Sequence, residues 1–273
     1  MNSSLAYHLD RAKESSKIDV SLEKDFHFFL VSLGVSKSTI LLRDDLALDI
    51  IQQKEIERFF NSYITGMPLD YILNETSFLD FKFYVDERVL IPRPATEVLV
   101  SKILDLDLHP SANILEVGVG SGCISISLSL LRTDLKIIAS DISLPALKVA
   151  HINMLNYKTK NIQLVYADWL SYATPSSLDL VISNPPYIHP NDPHLLGLTH
   201  EPITALISPD GNESFVHIAE QAFIALKDGG MIIFEHGYNQ KDEVIKILSD
   251  AGFSQVHSLQ DLQELDRIVF ATK

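Results

Sequence analysis

Cysteine is almost absent from this sequence, since Cys123 is the single one among 273 residues. One thiol excludes an internal disulfide and a zinc site built from several cysteines, which fits a reducing compartment. Long apolar runs are also missing. None approaches the roughly 18 residues that a membrane-spanning helix needs, and residues 1–16 lack the uninterrupted apolar core of a signal peptide. We therefore predict a cytoplasmic protein without a membrane partner.

Positive charge is scarce relative to negative charge. The chain has 22 lysine and arginine residues against 36 aspartate and glutamate residues, which gives a net charge of −14. Sequence-independent binding to nucleic acid depends on basic side chains at phosphates, so we expect no direct nucleic-acid partner. With 46% hydrophobic and 21% charged residues, the composition is that of a folded protein with an ample core. The length predicts two unequal domains.

Residues 1–73 predict an N-terminal helical domain. Apolar residues recur at helical spacing in two segments, 22–33 and about 48–63. Gly34 and Gly66 follow these segments and are typical residues for ending a helix. The sequence therefore predicts a small helical bundle here.

Residues 74–93 predict a β-hairpin that links two domains. Phe81, Phe83 and Val85 alternate with more polar positions, as in a half-buried strand. The acidic and basic residues at 86–88 predict the turn of this hairpin.

Residues 94–273 repeat a pattern of apolar strand, turn and helix. This alternation is typical of an α/β fold in which helices cover both faces of a parallel sheet, a Rossmann-like doubly wound architecture. Two last strands would complete the sheet. The predicted strands cover residues 113–118, 136–140, 162–167, 178–183, 231–236, 254–259 and 267–272.

The turn after the first of these strands predicts a ligand site. It contains Gly118, Val119, Gly120, Ser121 and Gly122. Glycines allow the backbone to approach a ligand closely and to adopt positive φ angles. A dinucleotide fingerprint would need glycine where Cys123 stands, and the Gly-Lys-Ser/Thr of a phosphate loop is absent. The ligand therefore need not carry phosphate.

Polar residues at successive strand ends indicate which ligand this is. Asp141 can accept hydrogen bonds from two ribose hydroxyls, Asp168 and Trp169 can hold an adenine, and Glu116 can attract an ammonium group. Each aspartate alone could equally be a helix cap or turn residue. Ligands of open parallel sheets lie across the carboxyl ends of the strands, where all of these residues fall. S-adenosylmethionine fits them, so we predict a class I S-adenosylmethionine-dependent methyltransferase fold.

The tetrapeptide Asn184, Pro185, Pro186 and Tyr187 predicts the acceptor site of the reaction. The two prolines hold Asn184 and Pro185 in extended conformations. The Asn184 side-chain oxygen and the Pro185 carbonyl then form a fixed pair of acceptors for a planar –NH2 group, on which Tyr187 can pack. The alternative is that Asn-Pro-Pro is only a turn. Its position after the fourth strand, next to the methyl-donor site, favours methyl transfer to a nitrogen, with Asn184 also close to the cofactor.

The chain resembles the HemK/PrmC family of release factor N5-glutamine methyltransferases. The motifs that carry the resemblance are "GMPLDYI", "VLIPRPATE", "ILEVGVGSG", "DISLPAL", "ADWL", "SNPPYI", "EPITAL" and "FEHG". They span residues 66 to 237 in chain order. "NPPY" alone also occurs in adenine and guanine amino-methyltransferases, whereas the combination with "IPRPATE" and an upstream helical domain is more specific.

The resemblance implies a substrate, the glutamine of the Gly-Gly-Gln loop of class-1 peptide-chain release factors. It implies that Asn184 and the Pro185 carbonyl bind the glutamine amide, that Tyr187 packs on it, and that Arg93 and Thr96 lie nearby. It also implies that the helical domain docks the release factor. The resemblance further implies that residues 118–122, Asp141 and Trp169 bind the cofactor.

Two other functions remain open at this point. The same tetrapeptide permits an amino-group methyltransferase that acts on adenine or guanine in DNA or RNA, which the acidic composition disfavours. The second alternative is a non-catalytic module that binds a nucleoside or docks a protein.

We interpret His189 and His194 as ordinary loop residues and predict no metal site. The loop from 188 to about 210 lacks periodicity, and we expect it to contact the protein substrate.

Overall fold

The computed structural model describes residues 4–17, 19–43 and 46–273. Residues 1–3, 18, 44 and 45 of the predicted N-terminal domain lie outside the described residues. The chain divides into two compact units, Met1–Asn74 and Glu75–Lys273.

The first unit is helical in its described part. Its helices are α1 (Leu5–Ser15), α2 (Leu22–Ser32), α3 (Lys37–Leu42), α4 (Ile50–Ile64) and α5 (Leu69–Leu73). The predicted helical segments are therefore confirmed as α2 and α4. Asp49 and Gln52 start α4 with reciprocal side-chain to backbone hydrogen bonds. The core of this unit contains packed aromatic rings, among which Phe29 and Phe59 have centroids 4.8 Å apart.

The second unit begins with a short β-hairpin, β1 (Thr76–Phe78) and β2 (Phe81–Phe83). Its turn lies at residues 79–80, so the prediction that residues 86–88 form the hairpin turn was wrong. The second strand ends after Phe83, where a side chain from a helix replaces the partner strand. Tyr84 N donates to Asn153 Oδ1 over 2.7 Å. Val85 is buried without belonging to a strand.

A seven-stranded sheet forms the centre of the second unit. Its order is β5-β4-β3-β6-β7-β9-β8, and pairing is parallel except along β9, which is antiparallel to both neighbours. The strands are β3 (Asn113–Val117), β4 (Lys136–Asp141), β5 (Ile162–Tyr166), β6 (Leu178–Ser183), β7 (Leu226–Glu235), β8 (Ser254–Gln260) and β9 (Asp266–Thr272). The predicted Rossmann-like fold is confirmed.

Helices cover both faces of this sheet. Apolar side chains of α6, α7 and α8 pack with strand residues in one core, and those of α10 and α11 pack in another. Burial on both faces explains why the central strands are apolar throughout instead of alternating. The helices are α6 (Thr96–Leu104), α7 (Cys123–Leu131), α8 (Leu144–Tyr157), a 3-10 helix (Pro193–Gly197), α9 (Ile203–Leu206), α10 (Glu213–Ala225) and α11 (Lys241–Asp250).

The strand order reverses at β3, which pairs with β4 on one side and β6 on the other. Val117 aligns with Ser140 and with Ser183, each of which lies one residue before a predicted site residue. The backbone therefore brings Gly118, Asp141 and Asn184 to the same edge of the sheet, where ligands of such folds bind.

Within the described ranges, no helix combines the length and the apolarity that crossing a bilayer requires.

Candidate active site

A cavity opens over the carboxyl ends of β3, β4, β5 and β6. Its lining contains every residue predicted to bind the cofactor except Gly122, which lies at the base of the loop. The predicted residues that it brings together are Glu116, Gly118, Val119, Gly120, Ser121, Asp141, Asp168, Trp169, Asn184 and Pro186. Ile142 and Arg93 also line this cavity.

The glycine-rich loop is held against β4 by its own backbone. The N–H groups of Gly118 and Val119 both donate to the Ser140 carbonyl over 2.9 Å. Gly122 has a φ of +83° and immediately precedes α7. A Cβ atom on Gly122 would lie 2.9 Å from the buried Ile126 Cδ1, whereas a Cβ atom on Gly120 would meet nothing within 4 Å.

We expect Gly122→Ala to destabilise the protein more than Gly120→Ala. Both glycines have positive φ angles, so each alanine should cost about 1–2 kcal/mol of unfolding free energy through its backbone conformation. Alanine at 122 must also displace a packed side chain, which should add about 1 kcal/mol. Urea unfolding of both variants without cofactor measures the difference. Equal losses would show that the Ile126 contact is unimportant.

Asp141 joins the glycine loop to the start of α8. Its Oδ2 accepts from Gly120 N over 3.0 Å, and its Oδ1 accepts from Ser143 N over 2.8 Å. Burial raises the pKa of Asp141, and the backbone donors oppose this increase. Each carboxylate oxygen has further acceptor capacity, so the predicted hydrogen bonds to ribose hydroxyls fit this side chain.

Glu116 lies deeper than the sequence suggested. It is fully buried, and its Oε2 accepts from both the backbone N–H and the hydroxyl of Ser125 in α7. Burial raises the pKa of Glu116 to about 8, and the two hydrogen bonds from Ser125 oppose this increase. The contact with an ammonium group stays a prediction, and Glu116 also ties β3 to α7.

Asp168 and Trp169 follow β5 and line the cavity on the side away from the proline loop. Trp169 has a φ of +46°, a conformation that a residue other than glycine rarely adopts. Its ring is partly buried and packs beside the core under α10. Their contact with an adenine stays a prediction.

The Asn-Pro-Pro-Tyr segment leaves β6 at the rim of the cavity. The Ser183 hydroxyl donates to the Val117 carbonyl over 2.7 Å, which holds the end of β6 against β3. Pro185 is buried, and the Tyr187 carbonyl accepts from Gln240 Nε2 over 3.2 Å. Burial raises the pKa of Tyr187 to about 12, so its phenol stays neutral.

A second cavity adjoins the first, and Asn184 and Arg93 line both. Tyr187, His194 and Glu235 complete much of its polar lining. The two cavities therefore meet at the asparagine that was predicted to bind the acceptor nitrogen.

Sequence reasoning missed several residues that shape these cavities. Glu201 forms an ion pair with Arg93 and accepts a hydrogen bond from Ile91 N, which ties the loop after β6 to the segment before α6. Asn153 donates to the carbonyls of Ser121 and Tyr84 over 2.9 Å each. A buried asparagine inside an apolar helix was the available signal for Asn153, since such a group needs partners.

The loop from 188 to 210 contains the 3-10 helix and α9. Ile188 N donates to the Leu206 carbonyl over 2.8 Å, and Ser208 N donates to the Ile188 carbonyl over 3.1 Å. His189 and His194 are largely exposed, and the His194 ring pairs with Asp192. In the described part of the chain, no group of three His, Cys, Asp or Glu side chains is placed to hold a metal ion.

Comparison with known proteins agrees with this geometry. Residues 93–205 match the family model described as the methyltransferase small domain. A release factor glutamine methyltransferase of Shewanella oneidensis is 32% identical over 95% of this chain and 90% of its own length. One of Escherichia coli is 32% identical over 86% of each chain.

A solved methyltransferase structure from Pyrococcus furiosus has the same fold. It superposes with a TM-score of 0.55 at 16% identity, over 81% of this chain and 98% of the other. The extent of the sequence similarity, together with the loop, the acids and the proline segment at the sheet edge, identifies the chain. It belongs to the release factor glutamine methyltransferase family, and it is a methyltransferase that uses S-adenosylmethionine as its methyl donor.

Proposed function

We propose that this protein methylates the side-chain amide nitrogen, N5, of the glutamine in the Gly-Gly-Gln loop of class-1 peptide-chain release factors. The observation that carries this proposal is the position of Asn184 between the cofactor cavity and the second cavity. An amide held there can meet a methyl donor held on the glycine loop. The names of the relatives supply the class of protein substrate.

When bound, S-adenosylmethionine supplies an electrophilic methyl group on a sulfonium. Residues 118–122, Asp141, Asp168 and Trp169 would hold the donor, with Glu116 on the ammonium side. The acceptor nitrogen would take the methyl group as the bond from the methyl carbon to sulfur breaks, and the surplus proton would then leave the nitrogen to solvent.

Asn184 and Pro185 bind the amide nitrogen that attacks the methyl group. An amide nitrogen attacks poorly because its lone pair is delocalised over the carbonyl. The Asn184 oxygen and the Pro185 carbonyl accept its two hydrogens and favour the pyramidal geometry that develops during attack, a contact that strengthens toward the transition state. Tyr187 packs on the planar amide. Proximity and alignment of the two reactants contribute roughly 7–11 kcal/mol of the barrier reduction in such reactions.

Methylation of a purified release factor tests the proposal. We expect one methyl group to be added on incubation with S-adenosylmethionine, visible in the intact mass and located by peptide mapping on the loop glutamine. A release factor with alanine in place of that glutamine is the control and should stay unmodified. Label in DNA or RNA offered in parallel would instead support a base amino-methyltransferase. Label in neither substrate would reject both activities.

A further inference from the structure

Gln240 connects the Asn-Pro-Pro-Tyr segment to a different part of the fold. It is the residue before α11, and its side chain is partly buried. Its Nε2 donates to the Tyr187 carbonyl over 3.2 Å and to the Gly211 carbonyl over 3.0 Å, and it also reaches Asn212 Oδ1 over 3.4 Å. Its Oε1 accepts from Gly237 N over 2.9 Å. One side chain therefore joins three stretches of the chain.

These contacts fix which way the Gln240 amide faces. A backbone carbonyl only accepts hydrogen bonds, and a backbone N–H only donates them. With the amide turned over, its oxygen would face the carbonyls of Tyr187 and Gly211, and its –NH2 group would face the N–H of Gly237. Only the observed orientation pairs each of these donors with an acceptor.

Gly237 leaves the space that this side chain occupies. A Cβ atom at position 237 would lie 2.6 Å from Gln240 Oε1, which is closer than two such atoms can approach. The φ angle of Gly237 lies outside the left-handed region, so an alanine could adopt its backbone conformation. The glycine is therefore needed for the position of Gln240 and not for the turn itself.

The two prolines make the Asn-Pro-Pro-Tyr segment dependent on contacts at its ends. Neither Pro185 nor Pro186 has an N–H group to donate. At the start, the Ser183 hydroxyl holds the chain to β3. After the end, Ile188 exchanges backbone hydrogen bonds with residues 206 and 208 of the loop that it begins. The contact between Gln240 and Tyr187 ties this end to the start of α11, which lies outside that loop.

We propose that Gln240 is a positioning residue, which holds the end of the Asn-Pro-Pro-Tyr segment so that Asn184 and Pro185 stay aligned with the methyl donor. Gln240 lines neither cavity, so it acts through Tyr187 and not by touching a reactant. This role deepens the proposed function and rests on it for the identity of the reaction. A displacement of about 1 Å in a reacting geometry can cost about a hundredfold in rate.

Gln240→Glu tests the donor group of this side chain. Glutamate keeps the length and can still accept from Gly237 N, but it places an oxygen against the carbonyls of Tyr187 and Gly211. We expect kcat for release factor methylation to fall about tenfold, because the segment shifts away from its aligned position. The Kd for S-adenosylmethionine should change by less than about threefold, since the glycine loop and Asp141 are untouched.

Gln221→Glu is the matched control for this substitution. Gln221 Oε1 accepts from Leu170 N over 2.9 Å, a bond that glutamate can keep, and Gln221 lines neither cavity. Its kcat should stay within about twofold of wild type. If Gln240 only stabilised the fold, Gln240→Glu would lower the urea midpoint of unfolding and leave kcat of the folded enzyme unchanged. That result would overturn the proposal.

Gly237→Ala tests the position of the same side chain without replacing it. The new methyl group must displace Gln240, so kcat should fall about tenfold, as it should in Gln240→Ala. In the Gln240→Ala background the displaced group is absent, and adding Gly237→Ala should change kcat by less than about twofold. Losses that multiply in the double variant would mean that the two residues act independently, which would contradict the shared role.

A measurement without substrate keeps this test independent of the proposed function. The Ile188 and Ser208 amides donate backbone hydrogen bonds, so their exchange with deuterium reports how well the end of the segment is held. We expect peptides that contain them to exchange about tenfold faster in Gln240→Ala than in wild type or Gln221→Glu. Unchanged exchange in Gln240→Ala would refute the role of Gln240. If wild type leaves release factors unmethylated, the proposed function fails while the exchange rates still decide whether Gln240 holds the segment.

Discussion

Asn184→Ala should lower kcat by roughly 10²- to 10³-fold, the usual effect of removing one preorganised hydrogen-bonding group from a transition-state site. The lost oxygen is one of the two acceptors that engage the attacking nitrogen. Cofactor affinity should change by less than about threefold, since the glycine loop and Asp141 remain in place. Single-turnover methylation of a release factor gives kcat, and calorimetry gives the Kd for S-adenosylmethionine.

Asn156→Ala is the matched control for this experiment. Asn156 lies in α8, is exposed, and lines neither cavity. Its replacement should leave turnover within about twofold of wild type, as expected of an exposed residue away from the site. If Asn184→Ala instead weakened cofactor binding as much as turnover, Asn184 would belong to the donor site and its role toward the nucleophile would be wrong.

Asp141→Asn should raise the Kd for S-adenosylmethionine by about a hundredfold. The carboxylate already accepts Gly120 N and Ser143 N, and an amide can present only one oxygen. Its –NH2 group would face one of these two backbone N–H groups as a second donor, and its bonds to the ribose hydroxyls would lose the carboxylate charge. Hydrogen bonds to charged groups contribute about 1.5–3 kcal/mol each, and 1.4 kcal/mol corresponds to a factor of ten. Calorimetric titration measures the change.

Asp210→Asn is the control for the loss of a carboxylate charge elsewhere in the chain. Asp210 accepts from the N–H groups of Asn212 and Glu213 through a single oxygen, Oδ1, and it does not line the cofactor cavity. Asparagine at 210 can keep both bonds, so this variant should keep its stability and its affinity for S-adenosylmethionine. A normal Kd for Asp141→Asn would place the ribose elsewhere.

The positions of the site residues could be predicted because parallel strands impose them. Apolar strands alternating with helices predict a doubly wound sheet, and such a sheet gathers the carboxyl ends of its strands at one edge. Asp141, Asp168 and Asn184 each follow a strand, so their proximity in space follows from connectivity. Side-chain direction was less predictable. Glu116 accepts a hydrogen bond from Ser125 in α7, and the spacing of residue types in the sequence does not predict this contact.

The β-hairpin shows that the alternation of apolar and polar residues does not determine where a strand ends. Phe81, Phe83 and Val85 alternate as strand residues do, yet Val85 lies outside the strand. The reason is a distant residue: Asn153 accepts from the Tyr84 backbone and replaces a strand partner. A polar side chain from a helix decided where the strand ends, and alternation cannot report such a contact.

The fold class, the methyl donor and the residues that follow each strand can be predicted from the chain alone, because they depend on periodicity and on rules of chain connectivity. The contacts of those residues depend on the folded arrangement. Glu116 in β3 accepts hydrogen bonds from Ser125 in α7, and Asn184 donates to Thr96, which is 88 residues away along the chain. Hydrogen-bond partners are neighbours in space, and these partners meet only when the helices have packed on the strands.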